Sequence, residues 1–404
     1  MKVIYSIGSK FGGHGIGGVA SHAVRGIYKA RALEKVLASY TSRSSKLEGR
    51  SWNGIPEKYV KTMGIIGKGL RRLAYYDPTG WGYVLYDNIF DRWASSQIER
   101  SKISSEVERC DIFHGWNHHC LRSLLRAKEL GAVTVVERAS SHILESQKIL
   151  KEEFGKYGVN VSLLPQTYVE KCLKEYEEAD YILVPSEYAR QSFLERGFNE
   201  RKIFKIPFGV DHRKFKSPPF AKASGGKQNS NKFVVLYVGE IRLGKGVQYL
   251  LEAWERLGLR DAELWLVGDV KRDIKKLITE NRKQKTVMFL GFRRDVAELM
   301  GRANVFAFPS LDEGSALVTY EAMAAGLPVV TTPNAGSLVR DSLDGYIIPI
   351  RDSEALAERL EFFYKYPEQA KVMGERGRER IKEFTWERYG ENLVKAYIKM
   401  LKST

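Results

Sequence analysis

The feature that most restricts this chain is an alternation. Short apolar, β-branched runs recur from end to end, separated by longer stretches with helical spacing. In the first half they cover residues 2–7, 35–40, 111–114, 132–137, 180–185 and 202–207. In the second half they cover 233–238, 263–267, 286–290, 304–308, 328–331 and 346–348. Continuous apolar strands alternating with helices mean parallel sheets covered on both faces, because a strand buried on both sides needs no polar face. Residues 217–232 lack periodicity and are rich in Pro, Gly, Ser and Asn, the composition of a linker or loop. The expected architecture is α/β, with a doubly wound domain on either side of that linker. A length of 404 residues accommodates two or three domains.

Residues 41–105 fit the alternation badly. Within them, 61–76 mixes apolar and basic positions at roughly helical spacing, and three glycines weaken it as a helix. It reads either as an ordinary surface helix or as one lying on a membrane, basic side toward the headgroups.

Charge sharpens the question of partners. The chain has 65 Lys+Arg against 49 Asp+Glu, a net charge of +16. Residues 1–100 hold 16 basic and 7 acidic side chains, and residues 201–250 hold 11 and 2, so the excess is concentrated in two blocks. Nucleic-acid binders usually interleave such charge with aromatic or groove-reading motifs, and no zinc finger, RNP-like run or basic zipper is present. No nucleic-acid partner is expected. A solvated basic face and a surface for anionic lipid or phosphate both remain. The 43% apolar content is that of a chain with a real core, which excludes wholesale disorder. No run of 18 apolar residues exists to span a bilayer. The apolar burst before Gly8 reads as a first strand rather than a secretory signal. Cys110, Cys120 and Cys172 are an odd set without a C-x-x-C pair, so neither a disulfide framework nor a cysteine zinc site is expected. A reducing cytoplasm fits them.

Three loops between a strand and a helix carry chemistry. The first, 11–19, contains Gly12, Gly13, Gly15, Gly17 and Gly18, ahead of a helix expected around 20–28. Glycines let backbone N–H groups approach a phosphate, and a helix N-terminus favours the anion. Gly13, Gly15 and Gly18 satisfy G-x-G-x-x-G, but the second strand ends at Tyr40 and Thr41 without the carboxylate a dinucleotide fold uses. Nicotinamide and flavin are disfavoured. A loop facing a diphosphate, or a flexible turn at a cleft, remains. The second loop runs from Gly239 to Gly246, where Arg242 and Lys245 are charge-assisted donors for an anion or simply solvated. The third places Glu313 just before a helix, with Gly314, Ser315 and Ala316 offering N–H groups at its first turn. Glu321 follows about two turns later, and carboxylates in such a crevice can accept from hydroxyl pairs of a ribose or hexose.

Glu313 and Glu321, with seven residues between them and Ala-Met-Ala-Ala-Gly-Leu-Pro after them, resemble the E-x7-E signature of family 4 retaining glycosyltransferases, within glycosyl transferases group 1. The resemblance extends through the glycine loop, 111–114, 184–186, 207–211, Gly239 with Lys245-Gly246, 289–292, 309–310 and 384–387. It implies a GT-B fold: two Rossmann-like domains facing a central cleft, 1–216 for the acceptor and 233–384 for the nucleotide-sugar. The 217–232 linker joins them, and a C-terminal helix at 385–404 crosses back onto the first domain. Carried over by position, Lys245 contacts the donor diphosphate, Glu313 the transferred sugar and Glu321 the ribose. The backbone at 314–316 caps the phosphates with Leu317 next to it. Gly13, Gly15, Gly17 and Gly18 close the cleft, Gly239 lies at the phosphate loop, and Gly291 with Phe292 lines the nucleobase. The resemblance implies a retaining hexosyltransferase that needs no metal or other cofactor, and the chain contains no Asp-x-Asp pair. Its partners would be a nucleotide-diphosphate-sugar and an acceptor glycan, glycolipid or small molecule. The basic first domain adds an expected contact with an anionic membrane, so the setting is cytoplasmic or peripheral on the inner membrane face.

Three departures bear on these roles. Glu240 stands where the family usually has Arg, leaving Arg242 two residues on to serve the phosphates. Ala316 stands where the family commonly has glycine after the Glu-Gly-x turn, and adds a methyl at the crevice. The strand over 132–137 ends without the usual His, so Arg138, Ser140 or His142 is expected to substitute, with His114 and His118 lining the acceptor cleft or packed in the loop. The i, i+4 spacing of His114 and His118 suits metal ligands on a helix, but they follow a strand and no third ligand is placed, so no metal is expected. A non-catalytic nucleotide-sugar or polyanion-binding protein is the alternative function.

Overall fold

The expected strands all form, close to their expected bounds, in a computed structural model. It describes residues 1–13, 15–41, 46–47, 51–52, 54–77, 79–98, 110–159, 164–215, 232–281 and 284–403. In chain order the first strands are β1 (Val3–Phe11), β2 (Leu33–Thr41), β3 (Lys46–Leu47), β4 (Ser51–Trp52), β5 (Ile55–Pro56) and β6 (Val60–Thr62). They are followed by β7 (Ile112–Trp116), β8 (Val133–Glu137), β9 (Tyr181–Val184) and β10 (Ile203–Lys205). The second half contributes β11 (Phe233–Val238), β12 (Ala262–Val267), β13 (Val287–Gly291), β14 (Val305–Phe308), β15 (Val329–Thr331) and β16 (Gly345–Ile347).

Two parallel sheets result, ordered β10-β9-β8-β7-β1-β2-β6 and β13-β12-β11-β14-β15-β16. Strands such as β7 and β8 are buried along their whole length, as continuous apolar runs require. The linker expected over 217–232 lies outside the described residues except for Lys232. Residues 41–105 depart from the alternation because they supply the antiparallel β3-β4-β5 sheet, the edge strand β6 and the helices Gly64–Tyr76 and Trp81–Ser96.

The last helix, Trp386–Ser403, packs on the first, Ile16–Lys29. Gly26 and Gly390 set their separation: a Cβ on Gly26 would lie 2.5 Å from Gly390 Cα. The His22 ring stacks on Trp386 at 4.2 Å. Deeper in, Glu137 accepts hydrogen bonds from Tyr5 (3.2 Å) and Tyr389 (3.1 Å) and pairs with His114 Nε2 at 2.9 Å. The His114 Nδ1 meets the Tyr397 hydroxyl at 2.7 Å. Two tyrosines of the last helix are thus bonded into the first sheet, in a network whose members satisfy one another where water is excluded.

Candidate active site

Each sheet reverses its direction of growth once. After β1 the chain builds outward through β2 and β6, then returns to place β7 on the other side of β1. After β11 it builds through β12 and β13, then returns to place β14 beside β11. Such a reversal parts the loops leaving two neighbouring strands and opens a crevice at their carboxyl ends. The loops with chemistry in the sequence leave β1, β11 and β14.

In the second domain the two loops are clamped together. Gly246 has φ +69°, and a Cβ there would lie 1.9 Å from the Pro309 carbonyl oxygen. Leu311 N–H donates to the Gly244 carbonyl at 3.1 Å. This close approach brings the Lys245 ammonium onto the Glu313 carboxylate, where the two form an ion pair. Their side chains are 19% and 28% exposed, so the pair borders open space rather than core. Arg242 lies to one side, 3.6 Å from Glu240 and 3.8 Å from Asp273, and Glu240 also pairs with Lys271 at 2.8 Å. Glu240 is therefore neutralised by two cations.

Not all three of the backbone donors expected at 314–316 are free. Ala316 N–H is bonded to the Ala335 carbonyl at 2.9 Å, because the Pro333–Ala335 turn lies against this loop. Among the described residues Gly314 and Ser315 N–H have no such acceptor. The helix Leu317–Ala324 follows, with Leu317 half-buried and the Ser315 hydroxyl bonded to that of Tyr320 at 2.7 Å. Burial raises the Glu321 carboxyl to about 7, against a smaller opposing pull from Lys214. Gly239, Gly268 and Gly291 stand in a row at the ends of β11, β12 and β13: Gly268 N–H donates to Gly291 O at 2.8 Å, and a Cβ on Gly268 would lie 1.9 Å from Gly239 O. Phe292, next in line, is exposed.

The glycine loop after β1 splits by role. Gly17 and Gly18 are required by packing, since their Cβ atoms would lie 2.0 Å from Lys10 O and 2.5 Å from Gly13 O. Gly13 and Gly15 are exposed at φ +85° and +66°, and Gly15 has open space around it. These two are the ones whose backbone is turned outward.

The residues expected along the acceptor cleft separate as well, and two are corrected. His114 is fully buried with both ring nitrogens bonded, so it belongs to the network under the last helix and not to a cleft. His142 is 1% exposed, caps the helix Ile143–Lys156 by accepting from Leu144 N–H, and packs edge-on to Phe193. His118 is partly exposed and pairs with Asp87 at 2.7 Å. Arg138 donates to Ser141 O at 2.9 Å and to Asn117 at 3.2 Å, which shapes the turn after β8. That turn touches the second domain directly. A Cβ on Gly314 would lie 1.7 Å from the Ala139 carbonyl oxygen and 2.5 Å from Ser140 Cα. Beside it Asp312 accepts from Ser141 (2.6 Å) and Tyr188 (2.9 Å), both of the first domain. Asp312 was invisible in the sequence, because its partners lie more than a hundred residues away and nothing local marks it as a bridge.

The chain therefore has the GT-B fold, and solved structures bear this out. It superposes on Anabaena Alr3699/HepE in complex with UDP-glucose at a TM-score of 0.66, with 17% identity and 99% of this chain and 100% of that one covered. It superposes on WaaG, a glycosyltransferase involved in lipopolysaccharide biosynthesis, at a TM-score of 0.65, with 19% identity and 98% and 99% covered. Residues 221–380 match the model of the family described as glycosyl transferases group 1. Among curated proteins, EpsD of Bacillus subtilis is 31% identical over 57% of this chain and 62% of its own length. The UDP-Gal:alpha-D-GlcNAc-diphosphoundecaprenol alpha-1,3-galactosyltransferase of Escherichia coli is 33% identical over 39% of this chain and 44% of its own length. The chain thus spans about half the length of the curated relatives it matches.

Proposed function

We propose that the protein transfers a hexosyl group from a nucleotide-diphosphate-sugar to an acceptor hydroxyl, with retention of configuration and without a metal in the transfer step. The observation that carries this reading is the Lys245–Glu313 pair, held at the second switch point and faced by the turn after β8. Each side chain satisfies the other. With donor bound, the ammonium turns to the diphosphate and the carboxylate to the sugar hydroxyls, and the free N–H groups of Gly314 and Ser315 point to the same anion. The bond from the anomeric carbon to the diphosphate oxygen breaks, and the acceptor oxygen bonds to that carbon on the same face. The acceptor's proton passes to the departing diphosphate. Catalysis then consists of positioning and of stabilising the leaving group's charge.

The acceptor is read as a lipid-linked saccharide at an anionic membrane. Helices Gly64–Tyr76 and Trp81–Ser96 leave Ile65, Ile66, Leu73, Tyr76, Trp81 and Leu85 between 56% and 91% exposed, among Lys68, Arg71 and Arg72. No helix is long and apolar enough to cross a membrane among the described residues.

The test is turnover of a panel of nucleotide-sugars with chelator present, after a thermal-shift screen selects the donor that stabilises the fold. Lys245→Ala and Glu313→Gln should each lower turnover about 100-fold or more, the scale of losing one preorganised charge partner. Unchanged turnover in both would remove the site assignment. Donor binding with no transfer or hydrolysis would point instead to a non-catalytic binding protein.

A further inference from the structure

The loop after β7 reads Asn117-His118-His119-Cys120, and its backbone is left-handed at His118, φ +67°. Consecutive side chains of an extended chain point to opposite sides. Here the two imidazoles lie together, ring centroids 3.6 Å apart. Backbone in that region costs about 1–3 kcal/mol and persists only where the surroundings impose it. Glu175 imposes it: its buried carboxylate accepts from His118 N–H, from Asn117 Nδ2 (2.7 Å) and from Cys120 N–H (2.9 Å).

Asp87, on the helix Trp81–Ser96, faces both rings. Its Oδ2 is 2.7 Å from His118 Nδ1, and its Oδ1 is 3.4 Å from His119 Nε2. One donor atom from each of the three residues lies within 4.8 Å of the others. Yet among the described residues Asp87 Oδ1 and both ring nitrogens of His119 have no hydrogen-bond partner, although His119 is 1% exposed. A buried polar atom without a partner costs about 1–3 kcal/mol. Several such atoms at one point indicate that something else satisfies them.

The donor set says what. Two imidazoles and one carboxylate suit a zinc-like ion. Metal–ligand bonds of about 2.0–2.1 Å in a tetrahedron place ligand atoms roughly 3.3–3.4 Å apart. The 3.4 Å between Asp87 and His119 already has that spacing. The His118 contact, at hydrogen-bond length, is to the other oxygen, Oδ2, so the carboxylate must turn for one oxygen to serve both rings. Asp87, His118, Tyr168 and Lys171 also line a groove of about 440 Å³.

We propose that Asp87, His118 and His119 form a site for one divalent transition-metal ion of the zinc class. The ion ties the helix Trp81–Ser96 to the loop after β7 and keeps its fourth position open to the groove. The site is separate from the Lys245–Glu313 crevice and stands whether or not the chain transfers sugars.

The experiment uses the full chain, stripped with chelator and titrated with zinc by calorimetry, and in parallel with cobalt read by its tetrahedral absorption bands. One equivalent should bind, and zinc should displace cobalt and raise the melting temperature. Asp87→Asn and His119→Gln should weaken binding by more than the roughly 100-fold that an outer-shell change costs. His22→Ala, a histidine stacked on Trp386 elsewhere, should leave it unchanged. If the variants fail to fold, the wild-type cobalt spectrum decides. No tetrahedral bands and no zinc equivalent overturn the proposal, as does binding that survives both substitutions.

Discussion

The two switch-point crevices have the same topology and opposite chemistry. Beside β11 and β14 the loops carry a charged pair at partial exposure, with the free N–H groups of Gly314 and Ser315 beside it. Beside β1 and β7 the loops carry glycines turned outward, with His119 buried and His118 partly exposed. Under the proposed function the second crevice meets a diphosphate, and its ions are paired near the surface. In the first crevice polar residues fix the shape of loops. Glu175 and Arg138 act in this way, each bonding to the loop that follows β7.

The contact between the crevices is the most direct place to break this division. Gly314 lies so close to Ala139 that any side chain would separate the two loops. Gly314→Val should keep each domain folded and lower turnover about 100-fold, since misplacement by about 1 Å is enough to cost that much. Near-UV circular dichroism and steady-state assays together check it. Turnover within a factor of about two of wild type would mean that the loops work independently.

Glu153 is the second place. This fully buried carboxylate of the first domain accepts from Gln248 (2.8 Å), Tyr249 (2.8 Å) and Arg351 (2.7 Å), all in the second. Its removal takes a buried acceptor from Gln248, Tyr249 and Arg351, the last still paired with Glu152 at 3.2 Å, at a cost of about 1–3 kcal/mol. Urea unfolding of Glu153→Ala should show one transition becoming two as the domains uncouple. A single transition at the wild-type midpoint would show that other contacts hold the interface.

The sequence revealed the second crevice more fully than the first, for a physical reason. Strands buried on both faces announce themselves as apolar runs, so both sheets were legible. Glu313, Glu321 and Lys245 sit in short local motifs between a strand and a helix, and their placement follows once the sheet order is known. Asp312, Glu153 and Asp87 belong to no local pattern, because each owes its role to partners on a distant part of the chain. His114 and His142 misled for the complementary reason: a histidine near a strand end looks the same in sequence whether it faces a cleft or the core. Of the helices within 41–105, Gly64–Tyr76 was legible in the helical spacing of 61–76, whereas Trp81–Ser96 was not.

The smallest expected effect isolates one residue of the second crevice. Burial raises Glu321 from its ordinary 4.5 to about 7. Between those values the native chain keeps a proton that the unfolded chain has lost, so this group's contribution to stability is full below about pH 4.5. It falls as pH rises and is constant above about 7. Glu321→Gln should remove that slope, so the variant's melting temperature gains on wild type as pH rises from about 5 to about 8. Nucleoside-diphosphate affinity should behave in the opposite sense. A carboxylate accepts from a ribose hydroxyl pair better than a carboxylic acid does, so wild-type affinity should rise several-fold across the same range. Glu321→Gln should flatten that part of the dependence and leave any slope due to the ligand's own phosphates. Parallel titrations of both proteins decide it: coincident pH profiles would place Glu321 outside the nucleoside contact and return it to the role of a buried helical carboxylate.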